Sequence, residues 1–148
     1  DDRVSIVEGV NARYLTSANL AGILNREYVP NLVVADLSFI SLTHVIPAMI
    51  ATASADADFV LLIKPQFEVG RTGVREGIVT NPALREDAVN AVLWHAWDNG
   101  LETVNIISSP ILGGAGNHEY VAWFRAGREQ NPSQWRDTVH RLAGGTRG

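Results

Sequence analysis

Asp36 follows the apolar run Leu32 to Ala35, Lys64 follows Phe59 to Ile63, and Glu119 opens the run Tyr120 to Arg125. An ionisable group at the end of an apolar run is expensive to bury without a partner. Taken singly, each reads as a solvated strand end or a structural ion pair. Asp36 and Lys64 on neighbouring strands read as a site, because ligands of doubly wound sheets sit at the C-terminal ends of parallel strands. Lys64 is the only lysine in the chain; every other strongly basic side chain is arginine. A lysine can take a proton when its surroundings favour the neutral amine, and carboxylates can orient it and hold its protonated form.

The flanking segments fit such a site without proving it. Gly113-Gly114-Ala115-Gly116-Asn117 precedes Glu119. A turn of this kind suits either an ordinary hairpin or a close backbone approach to a substrate. Gln66-Phe67-Glu68-Val69-Gly70 follows Lys64, with Gly73, Gly77, Arg71 and Arg75 beyond it. That stretch reads equally as a substrate lid and as a plain surface loop. His44, His95, His118 and His140 show no metal-ligand spacing, so no metal is expected. The chain has no Gly-x-Ser-x-Gly elbow, no GxGxxG and no P-loop.

The elements that must position these groups follow from hydrophobic patterning. Val4–Val7, Leu32–Leu37, Phe59–Lys64, Thr103–Ser108 and Tyr120–Arg125 read as strands, the second of them buried. Ser41–Ala53 reads as a helix made irregular by Pro47. Asn81–Asn99 reads as the clearest helix, with Asn81 as N-cap, Pro82 in the first turn, an apolar face of Ala88, Val92 and Trp94 to Ala96, and Gly100 as the stop. Gln134–Leu142 reads as a terminal helix before a frayed tail, Gly144–Gly148. Alternating strands and helices predict an α/β fold with a mostly parallel sheet. The loop from Ser109 to His118 is too short for a crossover helix, so the last two strands should form an antiparallel hairpin.

Composition bounds the function. A length of 148 residues with 46% hydrophobic and 19% charged side chains suits one globular domain rather than a disordered chain. The absence of cysteine excludes disulfides and thiolate metal sites and is compatible with a cytoplasmic setting. No apolar run approaches the roughly 20 residues that span a bilayer. A net charge of −4 argues mildly against RNA binding by this chain alone. The chain starts at Asp1 rather than methionine, which suggests a fragment.

Three segments carry a family resemblance. Val33–Leu42 (VVADLSFISL), Leu62–Gly70 (LIKPQFEVG) and Gly116–Tyr120 (GNHEY), with Asn11-Ala12-Arg13 upstream, resemble successive motifs of the TlyA/haemolysin A family, in collinear order from about Asp2 to Arg125. That family belongs to the FtsJ-like ribose methyltransferases. The resemblance implies a Rossmann-like fold, S-adenosylmethionine as cofactor, and 2′-O-methylation of ribosomal RNA. The family's catalytic set is Lys-Asp-Lys-Glu, of which Asp36, Lys64 and Glu119 match the last three. The first lysine, the glycine-rich cofactor loop and an S4-type RNA-binding domain have no counterpart among these residues. The resemblance also implies cofactor contacts at Asn11, Ala12, Asp36 and Leu37.

The expectation is therefore a partial FtsJ-like methyltransferase domain over residues 1–128, lacking its first strands, with a C-terminal helix and tail over 129–148. Its partner should be ribosomal RNA or a ribosomal subunit, with the chain inactive by itself. A non-catalytic RNA- or membrane-interacting, haemolysin-like protein of the same fold is the alternative, and an NAD-dependent oxidoreductase on a related sheet a third reading. On the first reading, Asp36, Lys64 and Glu119 converge on one cleft at the C-terminal edge of the sheet.

Overall fold

The computed structural model describes residues 1–144. Its regular elements are α1 (Ser17–Leu24), β1 (Leu32–Ala35), α2 (Ile46–Thr52), β2 (Asp58–Ile63), α3 (Pro82–Asp98), β3 (Leu101–Ser108), β4 (Tyr120–Ala126) and α4 (Arg136–Leu142). The strands form one sheet in the order β1-β2-β4-β3. β1 and β2 pair in parallel across the α2 crossover, whereas β4 runs antiparallel to both β2 and β3. The C-terminal hairpin is thus present. The sheet is mixed rather than mostly parallel: β1, β2 and β3 share a direction, but β4 inserts between β2 and β3, so parallel hydrogen bonding is confined to β1–β2.

Alternation along β2 and β4 builds the core. Phe59, Leu61 and Ile63 of β2 and Tyr120, Ala122 and Phe124 of β4 are buried on one face. They pack against Met49 of α2, Val89, Val92, Leu93 and Ala96 of α3, and Val139 of α4. Asn81 caps α3 by accepting from the Ala83 N–H at 2.9 Å, and Pro82 occupies the first turn, where its missing N–H is no loss. The helix ends at Asp98, and Gly100 (φ 94°) takes the left-handed turn into β3.

Several expectations need correction. Val4–Val7 forms no strand; Val4, Ile6 and Val7 are exposed and have no ladder partner among the described residues. β-propensity alone cannot make a strand without a neighbour to bond. β1 is shorter than expected and is not buried. Leu32 is 55% and Val34 69% exposed, because β1 is an edge and these residues lie on its uncovered face. Ser41–Ala53 is not one helix. A 3-10 turn at Leu42–His44 gives way to α2 at Ile46, and Pro47 lies in the first turn of α2, where it starts a helix rather than distorting one. Trp94 is exposed rather than on the apolar face of α3. The terminal helix is a 3-10 turn, Pro132–Trp135, followed by α4. Of the tail, residues 145–148 lie outside the described residues.

α1 has no counterpart in the sequence expectations. Thr16 and Asn19 form a reciprocal capping box at its start, and Asn25 ends it in the left-handed region. The box uses asparagine where glutamate or glutamine is the usual signal.

The long connection from β2 to α3 is tied to the β3–β4 loop by one buried side chain. Asn117 accepts from the Val79 N–H at 3.0 Å and donates to the carbonyls of Gly77 at 2.7 Å and Gly114 at 2.8 Å. Asn117→Ala strands a buried N–H and breaks all three bonds. It should lower stability by about 2 kcal/mol or more, read as a lower urea midpoint. An unchanged midpoint would mean that the two loops hold their places without this residue.

Candidate active site

Parallel pairing of β1 and β2, with Ala35 opposite Leu61, sends both chains off the same edge of the sheet. Asp36 is the first residue beyond β1 and Lys64 the first beyond β2. There the Lys64 Nζ lies 2.5 Å from Asp36 Oδ1 and donates to Ser38 Oγ at 3.2 Å. The lysine side chain is 12% exposed, while the aspartate is 70% exposed. The pair therefore has a desolvated cationic side and a carboxylate open to a ligand.

β4 brings Glu119 to the same edge. Ile63 pairs with Tyr120, so the residue before β4 stands beside the residue after β2. Glu119 is 6% exposed, and its Oε1 accepts from Gln66 Nε2 at 3.0 Å. On its other side lies Gly113, where a Cβ would collide with the carboxylate. The structure brings Asp36 and Lys64 into contact. It places Glu119 at the same end of β2 and joins it to this centre through Gln66, two residues beyond Lys64, rather than by a direct bond to Lys64.

Of the proposed cofactor set, Ala12, Asp36 and Leu37 line one cavity of about 330 Å³, together with Leu15, Val33 to Ala35, Val45, Ala48, Met49 and Thr52. Asn11 is not in that lining; its side chain accepts from the Arg13 N–H at 3.1 Å and caps a short turn, and it borders a separate shallow hollow. The wall is largely apolar with one carboxylate, Asp36, the make-up of a pocket for a small ligand with an apolar body and a polar end. Among the described residues, no cluster of three or more His, Asp or Glu could hold a metal.

Sequence reasoning missed Ser38, Gln66 in its contact with Glu119, and the anchoring of Glu68. Glu68 accepts from Ser41 Oγ at 2.5 Å and from the Leu42 N–H at 2.8 Å, pinning the loop after β2 to the loop after β1. Phe39, in the left-handed region at φ 63°, is 91% exposed and meets the Phe67 ring at 5.0 Å between centroids. The motif residues gave no spacing signal for these contacts, which exist only once the loops meet. The loop carrying exposed Arg71 and Arg75 is held at its ends by Glu68 and Asn117.

Comparison with known proteins gives the family and the fold. Residues 1–126 match the model of the FtsJ-like methyltransferase family. The chain belongs to that family. It is 44% identical over 144 residues to the 16S/23S rRNA (cytidine-2′-O)-methyltransferase TlyA of Mycobacterium tuberculosis, covering 95% of this chain and 52% of that protein. It is 38% identical over 125 residues to hemolysin A of Brachyspira hyodysenteriae, covering 84% of this chain and 50% of the other. A solved structure described as a hemolysin from Streptococcus thermophilus superposes with a TM-score of 0.87 at 32% identity, over 97% of this chain and 50% of that one. The resemblance read from the motifs thus holds. The chain spans about half the length of the curated relatives it matches.

Burial raises the pKa of Glu68 above its ordinary 4.5, against the opposing bonds from Ser41 and Leu42 and the charge of His44. A carboxyl with a raised folded pKa is relatively stabilising below 4.5 and loses that advantage as pH rises through the folded value. Glu68→Gln has no such titration. The stability of the parent relative to Glu68→Gln should therefore fall from pH 4 toward neutrality and then level off, as read from urea midpoints. A parent that gains on the variant as pH rises would reverse the assignment.

Proposed function

We propose that the full-length protein carrying this chain is an S-adenosylmethionine-dependent methyltransferase acting on ribose 2′-hydroxyls of ribosomal RNA. The observation that carries this reading is the Lys64–Asp36 contact, made at the C-terminal ends of two parallel strands and at the rim of the apolar cavity. Family membership gives the reaction class, and the TlyA relative is named for ribose methylation of rRNA.

The chemistry follows from the geometry. A ribose hydroxyl is a weak nucleophile near neutral pH and needs a base within hydrogen-bond reach. A neutral lysine amine has two N–H groups and one lone pair. Asp36 and Ser38 can take the two N–H groups, which leaves the lone pair for the substrate hydroxyl. The ammonium formed on proton transfer is then held by the Asp36 carboxylate. Ala12, Asp36, Leu37 and the apolar wall would hold the cofactor's adenosyl part, while Asn11 lies outside that lining and would act only by capping the turn that carries Ala12. The cofactor supplies an already activated methyl group, so in-line positioning is most of the remaining task. Glu119 is assigned to the same centre as an orienting carboxylate. Exposed Phe39 and the exposed arginines Arg71 and Arg75 suit an unstacked nucleotide and its phosphates.

The rest of the reading concerns the parent protein. The exposed edge of β1 is the place for further parallel strands, including the one bearing a glycine-rich cofactor loop. With that strand absent from these residues, the chain by itself does not carry out methyl transfer and binds cofactor weakly. RNA affinity beyond Arg71 and Arg75 comes from an S4-type domain of the parent, since this chain carries a net charge of −4. A ribosomal substrate places the enzyme in the cytoplasm. No helix among the described residues is long and apolar enough to cross a membrane.

Lys64→Arg in the full-length protein tests the base. Guanidinium keeps the charge but does not give up its proton. Methyl transfer to ribosomal subunits from cells lacking the protein should be lost, while calorimetry shows S-adenosylmethionine affinity nearly unchanged. Appreciable turnover by Lys64→Arg would leave Lys64 a structural role and remove the base from this mechanism, whereas no methyl transfer by the parental protein itself would favour the non-catalytic, haemolysin-like reading of the fold.

A further inference from the structure

Gln66 is the only side chain that bonds the Glu119 carboxylate among the described residues, and it does so from two positions beyond Lys64. Its other amide end is unusual. Gln66 Oε1 is buried and has no hydrogen-bond partner. Glutamine is costly to enclose with half its amide unsatisfied, and buried side-chain oxygens in folded proteins nearly always find a donor. Packing alone does not account for it: an apolar side chain of the same length would fill the space without that penalty. The Nε2–Glu119 bond is what fixes the amide where it is. Glu119 in turn has little freedom, since Gly113 closes against its carboxylate on the other side. Interchanging the amide's nitrogen and oxygen would place an oxygen against a carboxylate, so the orientation follows from the charge of Glu119.

We infer that Gln66 is a positioning residue for the reaction: its amide N–H sets the direction of the Glu119 carboxylate relative to Lys64. This inference rests on the assignment of Lys64 and Glu119 to the methyl-transfer centre. The covalent link is short, because Lys64, Pro65 and Gln66 are consecutive and Pro65 is buried and conformationally rigid. A 3-10 turn over Pro65–Phe67 keeps the Gln66 side chain on the Glu119 side, while Lys64, just before it, turns toward Asp36 and Ser38. One turn thus connects the two carboxylates of the site through the lysine and the glutamine.

Three variants of the full-length protein test it, with unmethylated ribosomal subunits from cells lacking the protein as substrate. Gln66→Met keeps the length and removes the amide. It should lower kcat by roughly ten- to a hundredfold, the range of a misplaced catalytic geometry, and leave KM for S-adenosylmethionine and for the subunits within about twofold. Gln66→Glu adds a pH signature. Its protonated carboxyl can donate to Glu119 as the amide does, whereas its ionised form repels it. The ratio of Gln66→Glu to parental kcat should therefore fall as pH rises. A role in packing alone would give a ratio independent of pH, and a thermal melt of each variant shows whether the fold is kept. Glu119→Ala separates the two levels of the argument. If it is strongly impaired while folded Gln66→Met and Gln66→Glu turn over like the parent at every pH, the Gln66 inference is overturned and the reading of the site stands. If Glu119→Ala itself turns over normally, Glu119 leaves the site and the inference falls with it.

Discussion

The parallel ladder between β1 and β2 is the constraint on which the rest of this site depends. Side-chain alternation on β2 buries Phe59, Leu61 and Ile63 against the helices, which fixes the strand's register and its exit. Parallel pairing then delivers Asp36 and Lys64 to one edge. An antiparallel β1 would have put Asp36 at the far end of β2 and left a lysine, mostly buried, without its counter-ion. The Lys64–Asp36 contact is a consequence of sheet direction as much as of residue type. It explains why the lysine can be desolvated: the carboxylate beside it stays open to solvent and ligand.

The loops beyond the strands finish what the ladder starts. Glu68 ties the segment after β2 to Ser41 and Leu42, beyond Asp36 and Ser38, so the partners of Lys64 are held from both sides. Asn117 ties the later part of that connection to the turn before Glu119. A frame tied at these points is what in-line transfer to a hydroxyl demands, since catalysis by positioning is lost with small displacements. The free edge of β1, with Leu32 and Val34 exposed, and the segment before α1, with Val4, Ile6 and Val7 exposed, show the opposite character.

Much of this was legible in the sequence, for identifiable reasons. Acidic and basic residues at the ends of apolar runs mark where strands start and stop, so Asp36, Lys64 and Glu119 could be singled out without coordinates. Asn81-Pro82 and Gly100 bracket α3 with local signals that need no tertiary context. The hairpin followed from a loop too short for a helix. What escaped depended on contacts between distant segments. Apolar content made β1 look buried, but burial is a property of what covers a face, and nothing described covers Leu32 and Val34. Val4–Val7 has strand-like residues and no neighbour to pair with among the described residues. The insertion of β4 between β2 and β3 made the sheet mixed, and order within a sheet is not encoded in any one strand. Ser38, Gln66 and Glu68 acquire partners only after three loops meet, so their types carried no warning of their roles.

The central claim is that the Asp36–Lys64 centre of the parent protein transfers a methyl group to a ribose hydroxyl. The most direct measurement is mass spectrometry of nucleosides released from ribosomal RNA after incubation with the full-length protein and labelled S-adenosylmethionine. The parental protein should place the label in a 2′-O-methylated nucleoside, and Asp36→Asn, which preserves shape but removes the charge, should place almost none. Label on a base rather than a ribose, or undiminished ribose labelling by Asp36→Asn, would contradict the account.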